Sequence, residues 1–204
     1  VDENTDTTIY SFNKMVNLLC KANPNVMEQL GLNPEHYLYI HPIGQVLLNN
    51  SKLFLSKRVV YSFAGYAKEQ LKKLDNKSSQ SFGEDYTGIG RRNRYAAAHN
   101  KIGKHMAHLI RLYYMCFDIL ENQKIITYRN KEHDLLMNIR NGEYLDKNQQ
   151  PISSFYDLLS ELKKRLEYDE KNTSLPETPD YQRINEFRMF VNEKIVTGKI
   201  EKEN

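Results

Sequence analysis

Residues 91–122 carry the longest run of helical periodicity in the chain, and they constrain its fold more than any other stretch. At about 100° per residue, Leu109, Ile110, Leu112, Tyr113, Cys116 and Phe117 fall on one broad arc. Lys104, His108, Arg111 and Met115 fall on a narrow stripe opposite. An apolar arc this wide is a core-facing surface. Helical periods recur at 10–21, 57–74, 153–168 and 181–196. The expectation is a mainly α, multi-helix domain with a few short strands.

The punctuation between these periods predicts element ends. Thr7 to Ala22 reads as a helix with Ile9, Phe12, Met15, Val16 and Leu19 on one face and Thr7 or Thr8 as its cap. Its first residues fit the end of a strand equally well. Pro24 suits the first turn of a short helix that runs to Leu30 and ends at Gly31. Ser51 could cap another short helix. Gly65, inside the helical period 57–74, costs about 1 kcal/mol against Ala, so close approach of a backbone or a ligand is one reading and a tolerated accident is the other. Residues 75–90 are rich in Asn, Ser, Gly and Lys and read as a long loop. KIITY at 124–128 reads as a short strand, and Asp134 to Arg140 as a helix stopped by Asn141-Gly142. Ser153 or Ser154 caps a helix to Tyr168, TSLPETP at 173–179 is a rigid linker, and Asp180 caps the last helix.

Composition narrows the class. Of 204 residues, 40% are apolar and 27% charged, an ordinary balance for a chain that buries a core, and the net charge of +3 leaves the placement of charge more informative than its sum. The two cysteines, Cys20 and Cys116, sit in apolar helical stretches outside any metal-binding spacing and read as buried free thiols of a reducing compartment. No apolar run reaches the roughly 18 residues of a membrane span, and no signal peptide is visible, so cytoplasm is the default location. The chain opens on Val1 rather than Met, as expected of a fragment or a processed product.

The stripe of Lys104, His108 and Arg111 has two readings. It is the wet face of an amphipathic helix, or a surface that holds an anion. A solvated face usually mixes signs at i,i+4, whereas this stripe meets no acid on its own helix before Asp118. Upstream, Arg91, Arg92, Arg94 and Lys101 add donors suited to phosphate and nucleic acid, and Lys57 and Arg58 begin a second basic stretch. Tyr61, Tyr66, Tyr86 and Tyr95 are interleaved aromatics able to stack on bases. The histidines form no metal pattern, and no GxSxG or HExxH motif occurs. Acidic residues able to hold Mg²⁺ are sparse, with Asp2, Glu3 and Asp6 at the N-terminal edge.

The stretches DTTIYSFNKMVNLLCKANPNVMEQL, FLSKRVVYSFAGYAKEQLKKL, GKHMAHLIRLYYMCFDILENQKI and LLMNIRNGEYL occur in that order. Together with LPETPDYQRINE they resemble the polymerase-β-superfamily nucleotidyltransferases of the RNA-repair-pathway type, found in bacteria and large phages. The resemblance covers most of Asp6 to Val196. It implies a small mixed sheet carrying metal-binding carboxylates, followed by a helical region. The Gly-Ser turn and Asp-x-Asp pair of such enzymes are absent from this sequence. Asp6 takes the place of a third carboxylate, catalytic and metal-binding, with Mg²⁺ implied only in a complete enzyme. By resemblance, Ser11, Lys14, Asn23, Lys57, Tyr66, Lys104, His108 and Arg111 face a nucleoside triphosphate or RNA, tRNA among the candidates, and Glu28 stands at the cleft. Residues 1–9 are then the remnant or last strand of a catalytic sheet, 10–172 the helical binding region, and 173–204 a linker and final helix.

Three readings stand side by side. The first is the helical portion of a nucleotidyltransferase, inactive alone and completed by an upstream catalytic part. The second is a non-catalytic protein derived from that fold that binds nucleic acid or a partner. The third is a plain helical interaction module. Oligomeric state is not legible.

Overall fold

The structure, a computed structural model, describes residues 7–63, 65–66, 102–148 and 150–198. It is mainly helical. We number the helices α1 (Phe12–Cys20), α2 (Pro24–Met27), α3 (Pro42–Asn49), α4 (Ile102–Asn122), α5 (His133–Asn141), α6 (Ser153–Asn172) and α7 (Tyr181–Thr197). Residues 58–63 and 65–66 are also helical, and short 3₁₀ turns follow α2 and α3 at Glu28–Gly31 and Ser51–Phe54. Among the described residues, β structure is confined to bridge positions at Thr7, Leu145 and Pro151.

α4 is the spine. Met106, Leu109, Ile110, Leu112, Met115, Cys116, Phe117 and Ile119 are buried along it, and α5 and α6 pack against it. The predicted apolar arc is therefore the core face. Met115, placed on the stripe by its angle, is fully buried as well. The stripe sinks into the protein as it descends, from exposed Lys104 through half-buried His108 and Arg111 to Met115. Both cysteines are buried and free, as expected.

Two glycines set how closely other segments approach. A Cβ on Gly103 would stand 2.6 Å from the Arg140 carbonyl oxygen and 2.7 Å from that of Ile139, so only glycine lets the end of α5 rest on α4. A Cβ on Gly31 would stand 2.4 Å from the Ile125 carbonyl oxygen. Gly31 is thus required by close approach rather than by a left-handed helix end, a role that falls to Gly142 with φ of 95°. A Cβ on Gly65 would meet no heavy atom of the described residues within 4 Å, so no close approach explains that glycine.

Several element ends differ from expectation. Ser11, not Thr7 or Thr8, caps α1: its backbone is extended and its Oγ accepts from the Lys14 amide at 3.3 Å. Ile9 is consequently outside the helix and 91% exposed. Residues 124–128 form no strand; Thr127 Oγ1 donates to the Gly31 carbonyl at 2.8 Å and the segment follows that turn instead. Ile152, with no side-chain cap, precedes α6 in place of Ser153 or Ser154. Asp180 does cap α7, its Oδ1 accepting from the Arg183 amide at 3.1 Å. Residues 173–179 are a strap laid on the core. Leu175 is buried, Thr173 Oγ1 donates to the Leu120 carbonyl at 2.6 Å, and the Lys57 amide donates to the Pro176 carbonyl at 2.8 Å.

Candidate functional site

The close seating of α5 on Gly103 opens a cleft of about 360 Å³ between α4 and the 128–140 segment. Lys104, His108 and Arg111 line one wall; Arg129, His133 and Arg140 stand on the other, over a floor that includes Leu136 and Met137. Two of these cations are neutralised in place. Arg111 Nη2 donates to Glu28 Oε1 at 2.7 Å, and Arg129 Nη1 lies 2.5 Å from Asp118 Oδ2 while its Nη2 donates to the Ile126 carbonyl at 2.6 Å. Lys104 and Arg140 have no carboxylate within ion-pair distance among the described residues. The cleft therefore keeps a surplus of positive charge at its mouth.

His108 is the group most altered by this setting. Its pKa is pushed down to about 4, first by burial and then by the charges of Arg111, His105 when protonated, and Lys104. The imidazole is neutral at pH 7. Arg111 Nη2 lies 3.3 Å from His108 Nδ1. A guanidinium can only donate, so Nδ1 accepts and the proton resides on Nε2. Glu28, Arg111 and His108 thus form a chain in which the carboxylate orients the guanidinium and the guanidinium fixes the tautomer. Tyr66 meets the imidazole edge-on at 5.7 Å between ring centres. Glu28 reaches Arg111 because its 3₁₀ turn is anchored where Gly31 meets Ile125.

The structure distributes the other site residues named from sequence. Ser11 and Asn23 are helix caps, Asn23 Oδ1 accepting from the Val26 amide at 3.3 Å. Lys57 Nζ is held by Glu177 Oε1 at 2.7 Å, on the strap and away from the cleft lining. Lys14 lines a separate recess between α1 and α7. Asp6, Arg91, Arg92, Arg94 and Lys101 lie outside the described residues, as do Tyr86, Tyr95 and residues 75–90.

The profile of the RNA repair pathway DNA polymerase beta family matches residues 1–190. The chain belongs to this family. No curated protein and no solved structure matches it. Membership makes the chain a relative of polymerase-β-type nucleotidyltransferases in RNA repair, and the match extends over the whole described cleft. Of the helices described, none is long and apolar enough to cross a membrane.

The family implies metal-bound carboxylates, and the described residues do not supply them: no group of three or more His, Cys, Asp or Glu side chains among them is placed to hold an ion. Glu28, the acid at the cleft, is committed to Arg111. Three cleft residues escape a reading of the sequence. Arg129, His133 and Arg140 sit in a short polar helix and the turn before it, and only the glycine at 103, facing them in space, hints that this helix presses on the stripe. Glu28 as the acidic partner of Arg111 is likewise invisible in sequence, because 83 residues separate them.

Proposed function

We propose that the α4–α5 cleft grips the phosphates of a nucleoside triphosphate or of RNA, as the substrate-holding surface of an RNA-repair nucleotidyltransferase. The observation that carries this reading is a pair of cations, Lys104 and Arg140, that lack a carboxylate partner among the described residues and flank a neutral histidine with its proton on Nε2 in a single cleft. Lys104 and Arg140 offset phosphate charge. Arg111 still has N–H groups beyond those used by Glu28 and His108, and its planar fork suits two phosphate oxygens at once. His108 donates from Nε2 as a neutral imidazole. An arriving phosphate opposes the cations that depress His108, but burial, the larger cause, remains, so the imidazole serves as a neutral hydrogen-bond donor to a phosphate oxygen. No described residue is assigned to the transfer step itself, which in this chemistry uses Mg²⁺ ions clamped by several carboxylates; Asp6 is the residue proposed to contribute one.

The test is titration of ATP and of a short single-stranded RNA into the chain by calorimetry, with and without Lys104→Gln and Arg140→Gln together. Both residues are exposed, so melting should be unchanged while affinity falls at least about tenfold, the size of one or two charge-assisted contacts. Equal affinity in the double variant would remove the cleft from consideration.

A further inference from the structure

A second recess, of about 460 Å³, lies between α1 and α7. It shares no lining residue with the α4–α5 cleft. Lys14 and Lys21 reach it from α1 and its C-terminal end, Arg58 from the helical residues 58–63, and Arg188 from α7; no carboxylate of the described residues lines it. Four cations in one recess without an acid is an unfavourable arrangement for a purely structural cluster, since like charges repel and each partly buried guanidinium gives up water. Arg188 shows the deficit directly. Its Nη2 donates to Asn17 Oδ1, but its buried Nε has no hydrogen-bond partner among the described residues. Cys20, which lines the recess, adds no negative charge: burial raises its thiol pKa despite the pull of Arg188 and Arg58. One wall is apolar, from Leu18 and Ile184, and the ring of Tyr181 is about half exposed at the rim.

We infer that this recess is a second, independent phosphate site, built for a nucleoside phosphate whose phosphoryl oxygens meet Arg58, Arg188 and the two lysines while the base lies against Tyr181 and Ile184. The volume is within the range of small-ligand sites, and the combination of guanidinium donors with an aromatic ring is what nucleotide recognition uses. The same chemistry could be offered by a free nucleotide or by one nucleotide of an RNA strand. The inference goes beyond the reading of the α4–α5 cleft and does not depend on it.

The decisive variant is Lys14→Gln with Lys21→Gln. Both side chains are exposed, so the core is left alone. Calorimetry with ATP and with a short single-stranded RNA should show at least a fivefold loss, about 1 kcal/mol or one charged contact, for one of the two probes. Loss for ATP alone assigns the site to a free nucleotide; loss for RNA, with ATP unchanged, assigns it to the strand. A second variant tests the aromatic rim: Tyr181→Leu, at a position about half exposed, should weaken binding of the same probe. Unchanged affinity for both probes in both variants overturns the inference. Because Lys104 and Arg140 are intact in both variants, failure here leaves the α4–α5 cleft standing, and failure there leaves this recess standing.

Discussion

At the Lys104 end of α4, cations outnumber their partners among the described residues; at the Asp118 end, the arginines facing the helix have carboxylates. Lys104 and Arg140 stand beside a histidine whose pKa the surrounding charge and burial have lowered. About four turns further along, Arg129 meets Asp118 at 2.5 Å, Arg165 meets Glu121 at 2.5 Å, and the Arg165 guanidinium lies 4.2 Å from the centre of the buried Phe117 ring. The paired end is how a helix carries charge when the charge serves the fold. Leaving cations without acids at the other end disfavours the fold slightly, a cost that the anion of the proposed function would offset. The two ends even shift their titrating groups in opposite senses. Burial and Glu121 push Asp169, beside Arg165, up to about 6, while burial and cations push His108 down to about 4.

The contrast can be broken most severely at Phe117. Phe117→Ala removes a fully buried ring and the platform for Arg165, and should cost about 3–5 kcal/mol in urea unfolding. If the cost is below about 1 kcal/mol, the paired end is not the stabilising one. Gly103→Ala comes next. The added methyl meets two carbonyl oxygens that can move only with α5, so stability should fall by about 1–3 kcal/mol, with weaker ATP or RNA binding because the cleft walls separate. Full retention of both would show that α5 is not fixed by this contact.

The smallest effect is in the pH dependence. Asp169, with its folded pKa raised, destabilises the fold at pH 7 and does so less as pH falls through about 6 toward its unfolded value near 3.8. His108, with its folded pKa lowered, acts the other way: stability present above its unfolded value near 6.5 is lost as pH falls toward about 4. Between pH 4 and 6 the two slopes oppose one another. Asp169→Asn removes the first, so the variant should be more stable than the parent at pH 7 by about 1 kcal/mol, equal to it below pH 4, and should show the His108 slope undiluted. Melting curves collected from pH 4 to 7.5 check this; a constant difference across the range would mean that Asp169 does not titrate there.

Helix placement is legible because the apolar period is a local property: α5 and α7 fall where the periods and the Gly142 and Asp180 signals put them, and α4 matches the part of its expected period, 102–122, that lies within the described residues, 91–101 lying outside them. Residues 124–128 mislead for an equally physical reason. Ile125, Ile126 and Thr127 have strand-forming side chains, but Thr127 donates its hydroxyl to the carbonyl of Gly31, far away in sequence, and the Ile126 carbonyl accepts from Arg129. The stripe of the cleft is readable and its opposite wall is not. Lys104, His108 and Arg111 share one helix, whereas Arg140 arrives by tertiary packing. The absence of acids along the stripe is a true property of one helix and an incomplete account of the fold, since Glu28 reaches Arg111 from another element.

The pairing of the first helix with the last has a consequence for how the chain is made. Phe12 packs tilted against Phe187 with ring centres 5.8 Å apart, Arg188 bonds Asn17 across 171 residues, and Lys57 meets Glu177 across 120. As the chain leaves the ribosome, α4, α5 and α6 can assemble from neighbours in sequence, but α1 waits with an uncovered side until α7 has emerged. Until then the recess between α1 and α7 does not exist, so whatever it holds can be bound only after α7 has been made.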